Sequence, residues 1–460
     1  MADITVSSLQ TCVIGCGECG SRIAAYFDKT PFFLKHRDWH LYPFRCAAID
    51  TDKAIVTSLP KDWNWREILD IHIIPPASPE TVYRRILKKK PADSSSKEWR
   101  NRGKSGAGGF PYIGNVTAEE YLLRDTPEGN GVRKGLEDRG FTKGALLIIN
   151  SLTGGTGTGL APAIPEFLAS FDASIILNLS IIPQITLLEK GSQVYPGSII
   201  YGLFKLSQSK RVDAVILADN EVLSRNYKCK GFSAYNSFLH EILAGILLAP
   251  IGEFGCPEFC STLDFADIQR ALRPRRGLGL PELCALAFSH KKPPGMLRLW
   301  LVGRKRRPQY VINWLKHLVD DSISTTTVGQ IEPKNIKGAV VVLSGPPEFF
   351  NQVLEGQQEY FYALEAYAKE KISSNLRLTF LQFPDMKEVR ISMILSGATS
   401  PKLESIYREI VPLAEQTKEG SLMDRIRRLT LKTVDDVMVK EIREQLAKET
   451  ELETAEETLA

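Results

Sequence analysis

No apolar run in the chain comes near the ~20 residues that a membrane-spanning helix needs. The best candidate, Ile242 to Ile251, has only the length of a buried helix segment. The opening MADITVSSLQT is polar and carries no apolar core of signal-peptide length. Eight cysteines in 460 residues do not make a disulfide scaffold. Charge of one sign is also lacking. The 58 Lys+Arg and 54 Asp+Glu leave a formal +4, so no global field demands nucleic acid or membrane. What is there is an ordinary globular composition, 43% hydrophobic and 24% charged, which excludes a disordered or collagenous chain. The expectation is a soluble cytoplasmic protein of two or three domains, at ~150 residues per domain.

The first half alternates β-rich and helical segments. Short apolar runs at Thr11–Gly15, Phe44–Ile49, Ile71–Pro75, Ala145–Asn150, Ser174–Ile182 and Asp213–Ala218 suit strands buried on both faces of a parallel sheet. Helical stretches, notably Ser21–Phe27 and Leu160–Phe171, lie between them, the pattern of a doubly wound α/β domain. Residues 61–104 break the rhythm with Pro75-Pro76, Ser94-Ser95-Ser96 and many basic side chains, and read as an insertion. A long apolar helix is expected from Phe232 to Leu248, and a Gly/Pro-rich boundary from Pro274 to Pro281. Strands are then predicted at Leu297–Val302, Ala339–Leu343, Leu376–Leu381 and Val389–Ile394, separated by helices at Tyr310–Val319 and Phe349–Lys371. The last sixty residues read as a charged helical tail with an acidic end. The resulting domain scheme is 1–230, 231–270 (central helix and the loop after it), 271–400 (smaller α+β domain) and 401–460.

Two glycine-rich loops carry the chemistry. Gly15-Cys16-Gly17-Glu18-Cys19-Gly20 follows a strand and precedes a helix. Glycines let the backbone turn tightly and approach a phosphate, and the helix N-terminus adds free N–H groups. The spacing fits the dinucleotide fingerprint, with Asp50 placed to take a ribose hydroxyl. The second loop, Thr153-Gly154-Gly155-Thr156-Gly157-Thr158-Gly159, also sits between a strand and a helix and reads as an anion nest. Two such loops at the ends of two strands imply a polyphosphate held from two sides.

In these motifs the sequence resembles the tubulin/FtsZ superfamily of filament-forming GTPases. Gly154–Gly159 resembles the family signature, with Thr153 replacing its leading glycine. Gly17 through Ile23 resembles the first nucleotide loop, with Glu18 and Arg22 where tubulin carries glutamines, and Cys19 and Gly20 between them. Ile49-Asp50-Thr51-Asp52 resembles the second loop, which implies that Asp52 faces a magnesium ion through water. Ser105-Gly106-Ala107-Gly108-Gly109 resembles the γ-phosphate-sensing third loop. Ala218-Asp219-Asn220-Glu221 resembles the base-recognition loop, with Asn220 as the guanine reader. Phe232 and Asn236 resemble the ring-stacking aromatic and the second guanine-binding residue. Leu263 to Ile268 is similar to the FtsZ catalytic loop, with Thr262 standing where the family has asparagine.

The resemblance implies a Rossmann-like GTP-binding domain, a long central helix, a smaller α+β domain and a helical tail. It implies GTP/GDP and Mg2+ as cofactors, and the chain itself as partner in a head-to-tail homopolymer. Asp264 and Asp267 would complete the active site of the next subunit. A short FtsZ-style C-terminal peptide is not recognisable, an adaptor could engage the tail, and Glu189 is the candidate ribose contact. The insertion and tail suggest a divergent FtsZ-, TubZ- or CetZ-like member.

Three other readings stand beside this one. Gly15, Gly17, Gly20 and Asp50 alone would serve an NAD(P)-dependent oxidoreductase, which leaves the second loop unexplained. A GTP-binding filament protein with little hydrolysis would accommodate Thr262. Cys12, Cys16 and Cys19 have the spacing of an iron–sulfur site, although Cys12 lies inside an apolar strand; Cys256 and Cys260 read as free thiols. The basic stretches Arg304–Arg307 and Arg84–Lys104 offer a surface to nucleic acid or acidic lipid, with solvated loops as the plainer expectation.

Overall fold

The computed structural model describes residues 10–27, 44–55, 59, 69–78, 81–82, 106–107, 109–184, 194–227, 231–251, 255–256, 259, 263–273, 281–324, 326–398 and 400–410. Short runs of Val, Ile, Leu and Ala form the strands β1 (Thr11–Cys16), β2 (Phe44–Asp50), β3 (Asp70–Ile73), β4 (Lys143–Ser151), β5 (Asp172–Ile182), β6 (Ala214–Asp219), β7 (Glu282–Lys291), β8 (Gly338–Gly345), β9 (Leu376–Gln382) and β10 (Val389–Ser396). They make one ten-stranded sheet in the order 3-2-1-4-5-6-7-10-8-9. Only β10 runs against the rest, antiparallel to both β7 and β8. The other pairings, including β6 with β7 and β8 with β9, are parallel. All strands but β10 therefore end at the same edge of the sheet.

The helices are α1 (Gly17–Phe27), α2 (Pro111–Thr117), α3 (Pro127–Asp138), α4 (Gly155–Leu160), α5 (Ile164–Phe167), α6 (Val194–Gln208), α7 (Asn220–Asn226), α8 (Phe232–Leu247), α9 (Phe265–Leu272), α10 (Met296–Val302), α11 (Arg307–Ile323), α12 (Gln358–Lys371) and α13 (Pro401–Ile410). Both faces of the sheet are covered. In β1, Cys12, Ile14 and Cys16 join one apolar cluster while Val13 joins the cluster on the other face. This is why the parallel strands read as continuous apolar runs rather than alternating ones. The central helix α8 packs into a cluster that takes Ile216 from β6, Leu286 from β7, Val342 from β8 and Ile394 from β10. One core thus runs beneath both halves of the sheet. Among the described residues no helix is long and apolar enough to cross a membrane.

Four sequence expectations need correction. Leu297–Val302 is not a strand; it is most of helix α10, bounded by Gly295 and by Gly303 at φ 79. The strand opening the second half is instead β7, whose Ala-, Cys- and Leu-containing sequence carries no marked β-propensity. The helix expected over Leu160–Phe171 begins earlier, inside the glycine loop, and is interrupted by a 3-10 turn at Ala161–Ala163 next to Pro162 and Pro165. The helix expected over Phe349–Lys371 breaks after a π-turn at Phe349–Val353, where Glu355 and Gly356 take positive φ. The insertion beginning at residue 61 also contributes to the sheet, because β3 lies within it and pairs with β2. Most of the insertion, the boundary at 274–280 and the tail beyond residue 410 lie outside the described residues.

Candidate functional site

β1 is flanked by β2 on one side and β4 on the other, so the loops leaving β1 and β4 diverge at a topological switch point. A cleft of about 400 Å³ opens there at the C-terminal edge of the sheet. Its walls are the two glycine loops, the loop after β2, and residues 106–109 insofar as they are described. It brings together Gly17, Glu18, Cys19, Asp52, Gly106, Ala107, Gly109, Thr153, Gly154, Gly155, Thr156 and Gly157. Gly108, Thr262 and Glu189 lie outside the described residues.

The two glycine loops interlock. Gly17 sits at φ +70, and a Cβ there would meet the backbone nitrogen of Gly157 at 2.7 Å. A Cβ on Gly157 would meet the carbonyl oxygen of Cys16 at 2.6 Å. Gly154, by contrast, has open space where a side chain would go. Other glycines serve packing. A Cβ on Gly20 would meet Ile149 O at 2.1 Å, and one on Gly159 would meet Pro111 O at 2.3 Å. Thus Gly20 seats α1 on β4 and Gly159 seats α4 against α2, and neither lines the cleft. Thr158 is buried, with its hydroxyl donating to Ser151 O at 2.7 Å, so it braces the loop from behind.

The sequence reading missed several groups. Thr51 and Thr156 share a 2.6 Å hydroxyl–hydroxyl hydrogen bond that ties the loop after β2 to the glycine loop after β4. Beneath the loops, Asn178 donates to Asn150 Oδ1 at 2.9 Å and Ser180 donates to Asn178 Oδ1 at 2.6 Å. Such polar residues inside apolar strands were the available signal. Asp50 is buried, and its Oδ1 accepts from the backbone N–H groups of Thr51 and Asp52 at 2.7 and 3.2 Å. The carboxylate that a dinucleotide reading turns toward a ribose is thus engaged by its own loop. Burial pushes Asp50 up to about 6, against those two hydrogen bonds and with the help of the charges on Asp52 and Glu18. Glu18 pairs with Arg22 at 2.5 Å, one helical turn apart, so the acid at the phosphate loop carries its own counter-charge.

The base-side residues stand apart from this cleft. Asn220 is the first residue of α7, behind Asp219, whose carboxylate caps that helix at Glu221 N. Phe232 opens α8 and is 57% exposed, while Asn236, one turn on, is buried. The start of α8 meets α1 through the Tyr26–Ser233 hydroxyl pair at 2.5 Å. Arg22, Asn220, Phe232 and Asn236 do not line the cleft.

Asp264 and Asp267 are placed far from it. Asp264 caps α9, accepting from Asp267 N at 2.6 Å. The Asp267 carboxylate is paired with Arg270 at 3.2 Å and Arg377 at 3.5 Å. Arg377 is the second residue of β9, and Arg273 just past α9 reaches Asp213, the residue before β6, at 2.8 Å. Both anchors lie at the N-terminal edge of the sheet. The cleft lies at the opposite edge, a strand length of roughly 25 Å away at ~3.3 Å per residue.

A profile of the "Tubulin/FtsZ family, GTPase domain" matches residues 10–228, from β1 through α7. That match spans just under half of the chain, so residues 10–228 are similar to a tubulin/FtsZ GTPase domain. The chain is 28% identical over 175 residues to the cell division protein FtsZ of Neisseria meningitidis, which is 37% of this chain and 39% of that protein. The chain therefore matches about two fifths of the length of this curated relative. CetZ2 from Haloferax volcanii, solved as a GTPγS-bound protofilament, superposes with a TM-score of 0.60 at 17% identity, covering 89% of this chain and 100% of that one. TubZ from Bacillus thuringiensis serovar israelensis, solved as a GTPγS-form protofilament, gives 0.54 at 15% identity, covering 90% and 96%. At these identities the structural likeness is one of fold.

Helix α13 also reaches the loop that opens α7. Lys402 Nζ donates to Pro183 O at 2.9 Å and lies 3.3 Å from Asp219 Oδ1 and 3.4 Å from Glu221 Oε2. Burial pushes the Asp219 carboxyl up and the Lys402 ammonium down, each partly offset by the other. The cysteine constellation has another character. Burial holds the Cys12 and Cys19 thiols up at about 12 and raises that of Cys16 as well, so all three stay protonated at neutral pH. Among the described residues no three His, Cys, Asp or Glu side chains converge on a metal-sized site.

Proposed function

We propose that this chain is a GTP-binding, self-assembling cytoskeletal GTPase that polymerises head-to-tail, with hydrolysis completed by the acid pair of the adjacent subunit. One observation carries the reading: the phosphate cradle and the Asp264/Asp267 pair occupy opposite edges of one sheet, so one copy cannot bring them together. Stacking copies edge to edge joins the two half-sites, and because the interface is heterologous and need not close, it generates an open filament.

The cradle suits a triphosphate. Glycine backbones without Cβ atoms and the starts of α1 and α4 present N–H donors from two sides. Those donors stabilise charge developing on the phosphoryl oxygens. Asn220 and Asn236 each offer a donor and an acceptor for the guanine edge, and Phe232 offers a face for its ring. The cleft's oxygen donors, Asp52 with the Thr156 hydroxyl, fit a hard cation such as Mg2+, which takes one or two carboxylates and completes its shell with water and phosphate. When bound, that ion neutralises phosphate charge. Asp264 and Asp267, lent by the neighbour, orient and polarise the attacking water.

The test is phosphate release measured against protein concentration. The rate per subunit should climb steeply as assembly sets in, and a rate unchanged down to dilute monomer overturns the shared site. Asp264→Ala should keep GTP binding and GTP-dependent sedimentation while turnover falls by on the order of a hundredfold. If the wild type binds GTP and assembles but releases no phosphate, the low-hydrolysis reading replaces this one.

A further inference from the structure

Helix α10 is built inside out. Met296, Leu297, Trp300 and Leu301 are 53–76% exposed, and they are four of the seven large hydrophobic side chains that stand exposed among the described residues. At 100° per residue these four fall on one continuous arc of about 140°. Leu299, on the other side, is buried, and the Arg298 guanidinium lies over the Tyr310 ring at 5.4 Å. The helix is thus fastened by its back and shows its apolar face to solvent.

Cations bracket that face. Lys292 precedes α10, and Arg304, Lys305 and Arg306 follow directly after the Gly303 turn; all four are exposed. None has an acidic partner among the described residues, whereas their neighbours Lys291 and Arg307 are paired with Asp321 and Glu355. None of these residues lines the nucleotide cleft.

We propose that α10 and its basic flanks form a peripheral membrane-binding element that docks on anionic phospholipid. Charge complementarity selects this occupant. Trp and Leu on one face with Lys and Arg at the rim is the chemistry of a helix lying in the headgroup–acyl boundary. Each cation near an anionic surface strengthens binding roughly fivefold. A single two-turn helix makes a weak anchor, so both signals are needed together.

The experiment is flotation of the full-length chain, without nucleotide, with vesicles of equal parts phosphatidylglycerol and phosphatidylcholine, and with phosphatidylcholine alone. The wild type should float with the anionic vesicles only, and added salt should weaken binding. Leu297→Ser/Trp300→Ser/Leu301→Ser should lose more than about tenfold in partitioning, and Arg304→Glu/Lys305→Glu/Arg306→Glu should abolish it. Both variants should keep the wild-type circular dichroism and melting temperature, because the altered side chains are exposed. Brominated acyl chains should quench Trp300 emission, read as the difference between wild type and Trp300→Phe. Equal flotation of wild type and the serine variant overturns the proposal, as does binding that leaves Trp300 unquenched. Absence of flotation together with serine-sensitive self-association in sedimentation velocity also overturns it and assigns the face to a second copy.

Discussion

Gly154 and Gly157 stand three residues apart in one loop, and the same kind of substitution should affect them differently. Gly154 has extended backbone and open space, so Gly154→Glu places a carboxylate in the cradle without a backbone collision. That variant should keep the wild-type melting temperature and lose GTP affinity by more than about a hundredfold in calorimetric titration, since a fixed negative charge opposes the phosphates. Gly157→Ala instead drives a methyl into Cys16 O and should cost about 1–3 kcal/mol of stability, read as a lowered melting temperature. Glycine spacing was legible in the sequence, but which glycines face the cleft and which admit a neighbouring backbone was not. That distinction depends on what each missing Cβ would meet. The Glu18–Arg22 pair makes the same point: two departures from the family pattern each look awkward alone, and together they neutralise one another.

At the scale of elements, α13 braces the loop that opens α7. Lys402→Met removes the cation from the nearly buried Asp219 and should destabilise the chain by about 2–4 kcal/mol. It should also weaken GTP binding more than ATP binding, because the loosened loop carries Asn220; equal loss of both nucleotides would deny the loop that role. A second element-scale test concerns β3. His72 is half-buried, packs on α3 at Gly135 and lies 2.8 Å from Asp70. Burial lowers its pKa below the ordinary 6.5, with Asp70 opposing the shift. The unfolded chain therefore takes up this proton first on acidification. The stability His72 contributes is complete above about pH 6.5 and is lost as pH falls through the depressed folded value. His72→Gln should show a smaller drop in melting temperature than the wild type between pH 7.5 and 5.5. Most elements were visible beforehand as apolar runs. β7 was missed because its two alanines and its terminal Glu282 and Lys291 are weak strand formers, and it is specified by parallel pairing with β6 and antiparallel pairing with β10. The apolar run of α10 misled because its exposed face serves no core.

For the whole molecule, the separation of cleft and acid pair makes complementation the decisive measurement. Asp264→Ala keeps an intact cleft, and Gly154→Glu keeps an intact acid pair. Each alone should turn over little GTP. Mixed in equal amounts, they should recover about a quarter of the wild-type rate if copies pair at random across a heterologous interface. A mixture no faster than the sum of its parts would rule out a shared site. Salt should matter here as well: Asp267 is held by Arg270 and Arg377, partly exposed pairs whose hold weakens as ionic strength rises.

The sequence by itself determined the alternation of buried strands and helices, the two glycine loops, and the order of motifs that marks the superfamily. These are local properties: a parallel strand buried on both faces must be apolar throughout, and a backbone that approaches phosphate must shed its Cβ atoms. Only the tertiary structure decided which edge of the sheet each motif reaches, that Gly20 and Gly159 pack while Gly154 faces the cleft, that Lys402 meets Asp219 across 183 residues of chain, and that α10 turns its apolar face outward. Each of these depends on contacts between segments distant in sequence, and no periodicity or composition along the chain encodes where two such segments will meet.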